Sequence, residues 1–157
     1  MFKEGPVEGV VIKELRKMTD ARGWLAEIFR NDELAQKDLP AMAYISMTLP
    51  EVERGPHEHE QQSDLFCFIG PSDFKLFTWD NRKHSPTYMH KMVTVIGESS
   101  PKTVIIPPGV VHAYKNVGGK PGLIINCPNR LFAGKNKKER VDEIRHEDDP
   151  NTIFKLD

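Results

Sequence analysis

The chain has 157 residues, 38% of them hydrophobic and 29% charged, and a formal net charge of −1. That length predicts one domain over 1–157, large enough to bury a core without disulfide staples, and the balanced charge excludes a global basic field for nucleic acid. No apolar run approaches the ~20 residues that span a bilayer, and residues 1–11 mix charges with Gly and Pro in place of a secretory apolar core. The expectation is a cytoplasmic protein with neither nucleic acid nor membrane among its partners.

Twelve prolines and eleven glycines fall mostly between short apolar runs, the spacing of an all-β chain with many turns. In chain order, strands are predicted over 10–15 and 24–29, the second following a turn at Asp20-Ala21-Arg22-Gly23. A short helix over 31–37, capped by Asn31 or Asp32, comes next. Further strands are expected over 43–49, 64–69, 74–80, 91–96, 103–106 and 122–127. Cys67 and Cys127 lie inside two of these runs and read as buried, reduced core thiols. The charged stretch 135–146 reads as a loop or an exposed helical turn. Short strands without long helices make a sandwich or a barrel.

Two histidine motifs decide between these. In Arg54-Gly55-Pro56-His57-Glu58-His59, leading to Asp64, residues two apart share a face if the segment is extended, so His57 and His59 project together. Pro107-Pro108-Gly109-Val110-Val111-His112-Ala113-Tyr114-Lys115-Asn116 supplies a third histidine. Together they resemble the two signature motifs of the cupin superfamily, with Asp64 where cupins usually carry Glu. The implied fold is an all-β cupin, a double-stranded β-helix (jelly-roll) barrel with few short helices. Neutral imidazoles with one carboxylate suit Zn, Fe, Mn or Ni; without metal they can supply a general base. His84, His90 and His146 lack such a context and are expected on the surface.

More of the chain resembles one family, the dTDP-4-dehydrorhamnose 3,5-epimerases. Asp20-Ala21-Arg22-Gly23-Trp24, Arg54-Gly55-Pro56-His57, Trp79-Asp80-Asn81-Arg82 with Ser85-Pro86-Thr87, the Ile106–His112 segment and Asp148-Asp149-Pro150 match its motifs in order. The resemblance implies that His57, oriented by Asp149, removes the acidic proton beside a C4 ketone. It implies that Arg54, Asp80, His59 and His112 meet the substrate, and that Arg22 and Glu27 reach the nucleotide of a partner subunit. A sugar-nucleotide ligand, a homodimer and a place in deoxysugar or surface-polysaccharide biosynthesis follow from it, with no cofactor required.

Three positions depart from the family. Its Tyr acid beyond the second motif has no counterpart, because that stretch reads Asn126-Cys127-Pro128-Asn129-Arg130-Leu131-Phe132 and no Tyr follows Tyr114. A family Lys is replaced by Asp64 and a family Gln by His59. Two alternatives therefore stand beside the epimerase. One is a metal-dependent cupin enzyme holding a divalent ion on His57, His59, Asp64 and His112. The other is a non-catalytic sugar-nucleotide-binding cupin.

Overall fold

The computed structural model describes residues 1–156. The strands are β1 (Lys3–Glu4), β2 (Val11–Glu14), β3 (Met18–Asp20), β4 (Gly23–Leu25), β5 (Tyr44–Thr48), β6 (Glu53–Glu58) and β7 (Asp64–Phe68). After them come β8 (Asp73–Asp80), β9 (His90–Gly97), β10 (Lys102–Ile106), β11 (Val110–Asn116), β12 (Gly122–Asn126) and β13 (Ile144–Arg145). One sheet runs β1-β9-β8-β11-β6-β13 and the other β2-β10-β7-β12-β5, with β3 and β4 forming a separate hairpin. Every pairing within the two sheets is antiparallel except β1 with β9. This is the expected all-β cupin jelly roll, and the only helices among the described residues are three 3-10 turns. None is long and apolar enough to cross a membrane.

Strand alternation sorts side chains into three apolar layers. Phe66, Phe68, Val104, Ile106 and Ile124 of the five-stranded sheet meet Phe74, Leu76, Ile96, Val110 and Tyr114 of the six-stranded sheet between the two. Phe77, Trp79, Val111 and Ala113 face the other way and are covered by Phe154, Phe2 and Leu156. Leu65, Ile105 and Cys127 are covered by Ile28 and Leu34 from the segment after β4. Both cysteines are free and buried. With both sheet faces covered, β7 is buried at every position.

Several expectations are corrected. The strand over 24–29 stops at Leu25, because Ile28 leaves the hairpin to cover Leu65. The helix over 31–37 is replaced by a turn and a 3-10 turn at Gln36–Asp38, where Arg30 rather than a helical cap engages Asp32. Strands β6 and β11, which carry His57 and His112, are full ladder members. The chain does not run extended from His57 to Asp64, since β6 ends at Glu58 and a loop precedes β7. His146 is not a free surface residue: its ring is largely buried, bonded to Glu58 at 2.9 Å and packed on Phe154.

Phe68 is fully buried between the sheets and touches the Phe66, Phe74 and Tyr114 rings. Phe68→Ala is expected to lower unfolding stability by about 3–5 kcal/mol, the usual cost of deleting a buried aromatic. Urea unfolding checks it, and a loss below about 1 kcal/mol would contradict this packing.

Candidate functional site

His57 and His112 face each other as a cross-strand pair between β6 and β11. Their ring centroids are 4.5 Å apart, edge to face. Next to this pair the register shifts between His112 and Tyr114, a bulge that re-aims the strand. Gly55 makes the approach possible. Its φ is +84°, and a Cβ there would lie 2.6 Å from the His112 carbonyl and 3.1 Å from His57 Nδ1. Alternation puts His112 on the face of Val110 and Tyr114, and Asp64 on the face of Phe66 and Phe68. Both therefore point between the sheets.

His59 comes from the loop after β6, which Asp142 holds in place. The Asp142 carboxylate accepts the backbone N–H groups of Glu60, Gln61 and Gln62 at 2.8, 3.0 and 2.9 Å. The Asp142 carbonyl accepts a hydrogen bond from His59 Nδ1. His59 Nε2 then faces Asp64 Oδ2 at 3.1 Å. His112 is set the same way: Nδ1 donates to the Val110 carbonyl at 3.1 Å, and Nε2 faces Asp64 Oδ2 at 3.4 Å without a hydrogen bond. A carbonyl can only accept, so both Nδ1 atoms carry hydrogen. Asp64 Oδ1 accepts from Asn126 at 2.8 Å and Gln62 at 3.0 Å.

Charge follows from these contacts. Burial pushes Asp64 up, but the His59 hydrogen bond, the neighbouring imidazoles and Asn126 outweigh it and hold the carboxyl at about 2. Burial also works against a charged His59, yet Asp64 and Asp142 raise it to about 9. His59 is thus an imidazolium near neutrality, donating from both nitrogens. Burial lowers His57 well below the ordinary histidine range, and His112 and His59 lower it further. Burial lowers His112 too, against the pull of Asp64. The cluster holds one cation, one anion and two neutral imidazoles.

His57 and His59 open onto a cavity of about 1090 Å³. Tyr44, Ser46, Phe66, Arg54 and Tyr114 line it from the two sheets, and residues 128–147 supply much of its rim. Arg130, Lys135, Lys137, Arg140 and Arg145 make that rim cationic, interleaved with Glu139, Asp142, Glu143 and Glu147. The charged stretch read as a solvated loop is therefore part of the site. Nothing in the sequence singles out Asp142 as the clamp on residues 60–62.

The other expected residues lie elsewhere. Asp149 is exposed and caps its own turn, accepting from the Asn151 N–H at 2.9 Å. Among the described residues no hydrogen bond joins His57 to a carboxylate, so Asp149 as orienter is corrected. Asp80 is buried away from the cavity. Its carboxylate is used by Arg82, Ser85 and Thr87, which hold the loop after β8. Arg22 pairs with Asp20 at the exposed β3–β4 turn, and Glu27 lies beside Arg30; neither lines this cavity.

The residues fit a metal ion. One nitrogen from each of His57, His59 and His112 lies within 4.8 Å of the others. The Nδ1–H to carbonyl bonds of His59 and His112 are the outer contacts that orient imidazole ligands.

The profile of the dTDP-4-dehydrorhamnose 3,5-epimerase family matches residues 4–148. A probable low-salt glycan biosynthesis epimerase of Haloferax volcanii is 37% identical over 128 residues, 80% of this chain and 81% of that protein. A spore coat polysaccharide biosynthesis protein of Bacillus subtilis is 34% identical over 147 residues, 94% of this chain and 93% of that one. The crystal structure of a dTDP sugar isomerase from Desulfovibrio desulfuricans superposes with a TM-score of 0.80 at 24% identity, covering 95% of this chain and 91% of that one.

The buried pair makes a pH prediction. Asp64 is depressed from 3.8 to about 2, so its contribution is present above 3.8 and lost as pH falls through 2. His59 is raised from 6.5 to about 9, so its contribution is complete below 6.5 and lost as pH rises through 9. In chelator-treated protein, Asp64→Asn is expected to cost about 3–5 kcal/mol, the scale for breaking a buried pair. Denaturant unfolding at several pH values should show the gap widest from about pH 4 to 6.5 and narrower beyond pH 9. A gap that grows above pH 9 would contradict the assigned charges.

Proposed function

This chain belongs to the dTDP-4-dehydrorhamnose 3,5-epimerase family, and from that premise we propose that it epimerises a 4-keto sugar nucleotide for glycan or surface-polysaccharide synthesis. The observation that carries the proposal is His57: a neutral imidazole with no carboxylate partner among the described residues, open to a large cavity with a cationic rim. A ketone acidifies the carbons beside it, and a neutral imidazole in reach can take such a proton. The resulting enolate oxygen needs positive charge. Arg54, whose guanidinium lines the same cavity, can supply it, since both N–H groups of the His59 imidazolium are committed to Asp142 and Asp64.

The rim suits the nucleotide. Arg130 and Arg140 carry planar forks that bind phosphate oxygens in pairs, and Lys135 and Lys137 add point charges, whereas Arg145 is held by Glu143, Glu147 and Asp148. Arg54 is held by Thr48 Oγ1 at 3.1 Å and the Met47 carbonyl at 3.0 Å, which sets its guanidinium between the sheets at the cavity wall. Names of the relatives support the same reading: one is a probable glycan biosynthesis epimerase, another a spore coat polysaccharide biosynthesis protein. dTDP is the nucleotide the family description supports.

A homodimer belongs to this proposal. Ile45, Met47 and Leu49 on or beside the edge strand β5 are each more than half exposed, as are Trp24 and Leu25 of the β3–β4 hairpin. An apolar edge strand left open invites pairing with a second copy. Light scattering at micromolar concentration is expected to give twice the 17.9 kDa chain mass; a monomer would remove the dimer and the reach of Arg22 to a neighbour's ligand.

A second reading has one observation in its favour. His112 Nε2 is buried, unprotonated and without a hydrogen bond, facing the Asp64 carboxylate. A divalent ion held by His57, His59, His112 and Asp64 would satisfy that lone pair and polarise a bound carbonyl. Metal analysis of purified protein separates the two readings. In the base reading, metal-stripped protein exchanges hydrogen of a 4-keto sugar nucleotide with 2H2O. His57→Ala lowers that exchange by about 100-fold or more. Exchange that appears only with added metal, and vanishes in His59→Ala, would replace the base reading with the metal one. No exchange under either condition leaves a binding protein.

A further inference from the structure

Inverting a carbon beside a ketone needs two proton carriers. Once the C–H bond breaks, the carbon is planar and shared with the enolate. Return of a proton from the face it left regenerates the starting sugar, so inversion requires a donor on the other wall. His57 stands on β6 of the six-stranded sheet. The cavity hydroxyls supplied by the five-stranded sheet are Tyr44 and Ser46 of β5. Ser46 is engaged with Tyr114, Oγ to Oη 3.1 Å, and the Tyr114 ring is 4% exposed among Phe66, Phe68 and Phe74.

Tyr44 differs in both exposure and hydrogen bonding. Its ring is 45% exposed along the cavity. Its oxygen lies 3.0 Å from Asn126 Nδ2, and that same amide nitrogen lies 2.8 Å from Asp64 Oδ1. Asp64 is an anion that can only accept. The Asn126 amide must therefore turn its NH2 toward Asp64, and its second hydrogen goes to Tyr44. That polarity makes the phenol oxygen an acceptor and leaves its own hydrogen free. The chain of contacts runs from the histidine cluster through Asp64 and Asn126 to the hydroxyl of Tyr44, a residue that lines the cavity. The phenol is protonated near neutrality, and loss of water around its oxygen pushes the pKa up to about 12.

We propose that Tyr44 is the acid that delivers a proton to the face opposite His57. The role rests on the epimerase reading given above. His57 takes the proton from the carbon beside the ketone, and the C–H electron pair becomes the enolate. The Tyr44 O–H bond then breaks as a new C–H bond forms on the other face, and the ketone is restored. The phenolate takes a proton from water and His57 gives one up, so turnover is proton-neutral and the inverted carbon carries solvent hydrogen. This places the acid on β5, ahead of the first histidine motif, where the family's position beyond the second motif holds no Tyr.

The test uses the full-length protein and dTDP-4-dehydrorhamnose in 2H2O, followed by NMR. Wild type is expected to exchange and invert. Tyr44→Phe is expected to lose inversion by about 100-fold or more while exchange with retained configuration stays within about threefold, since exchange needs only His57. Its melting temperature and dTDP affinity should match wild type. Tyr44→Phe inverting at more than about a tenth of the wild-type rate would overturn the role; so would equal loss of exchange and inversion with dTDP affinity unchanged. If Tyr44→Phe fails to fold, fluorinated tyrosine at position 44 is the second probe. The more acidic phenol should move the alkaline limb of inversion to lower pH, and an unmoved limb would overturn the proposal. Wild type that neither exchanges nor inverts would remove the epimerase reading itself, a result distinct from an active wild type with an unaffected Tyr44→Phe.

Discussion

Asp64 is 1% exposed, lies between two β-sheets, and remains ionised. An isolated carboxylate there would be too costly to keep charged, so its surroundings are fixed by what it needs. His59 must be an imidazolium, which requires its Nδ1–H to have a carbonyl, and Asp142 supplies it. Asn126 and Gln62 must turn their NH2 groups inward. His112, already committed to the Val110 carbonyl, is left with a lone pair facing an anion. Much of the polar character of the cavity floor follows from this single charge.

The same charge separates the histidines by role. His59, in contact with Asp64, is cationic; His57, farther out and beside that cation, is neutral. Residues of one type thus offer a neutral base and a cation that balances a buried carboxylate, without any difference in side-chain chemistry. The Asn126 amide carries the polarity onward to β12 and β5, where it orients the Tyr44 hydroxyl. A cation exchange at the cluster would alter this division. A divalent ion would replace the His59 proton, since ligation needs the Nε2 lone pair, and metal binding and proton binding compete for one site.

Legibility in the sequence varied with the physics behind each feature. His57, His59 and His112 were readable because alternate positions on extended chain share a face, and the structure brings all three together. Asp64 was readable as a neighbour of that cluster. Its position five residues beyond His59 has no strand period to explain it, because a loop intervenes. Strand β11 escaped the alternation rule since apolar layers cover both faces of its sheet, with Val110 and Tyr114 on one side and Val111 and Ala113 on the other. Asp142 was not legible at all: its role depends on a return of the chain some 80 residues later, and sequence shows only a charged stretch. Asp80 and Asp149 were misread in opposite ways. One is consumed by the loop it holds, and the other never leaves its own turn.

The most direct test of this account is the protonation of the three cluster histidines in metal-free protein, read by 15N NMR of labelled imidazoles at pH 7. The account predicts one imidazolium, His59, with two neutral rings, and His112 protonated at Nδ1 alone. A cationic His57, or a neutral His59 at that pH, would contradict it.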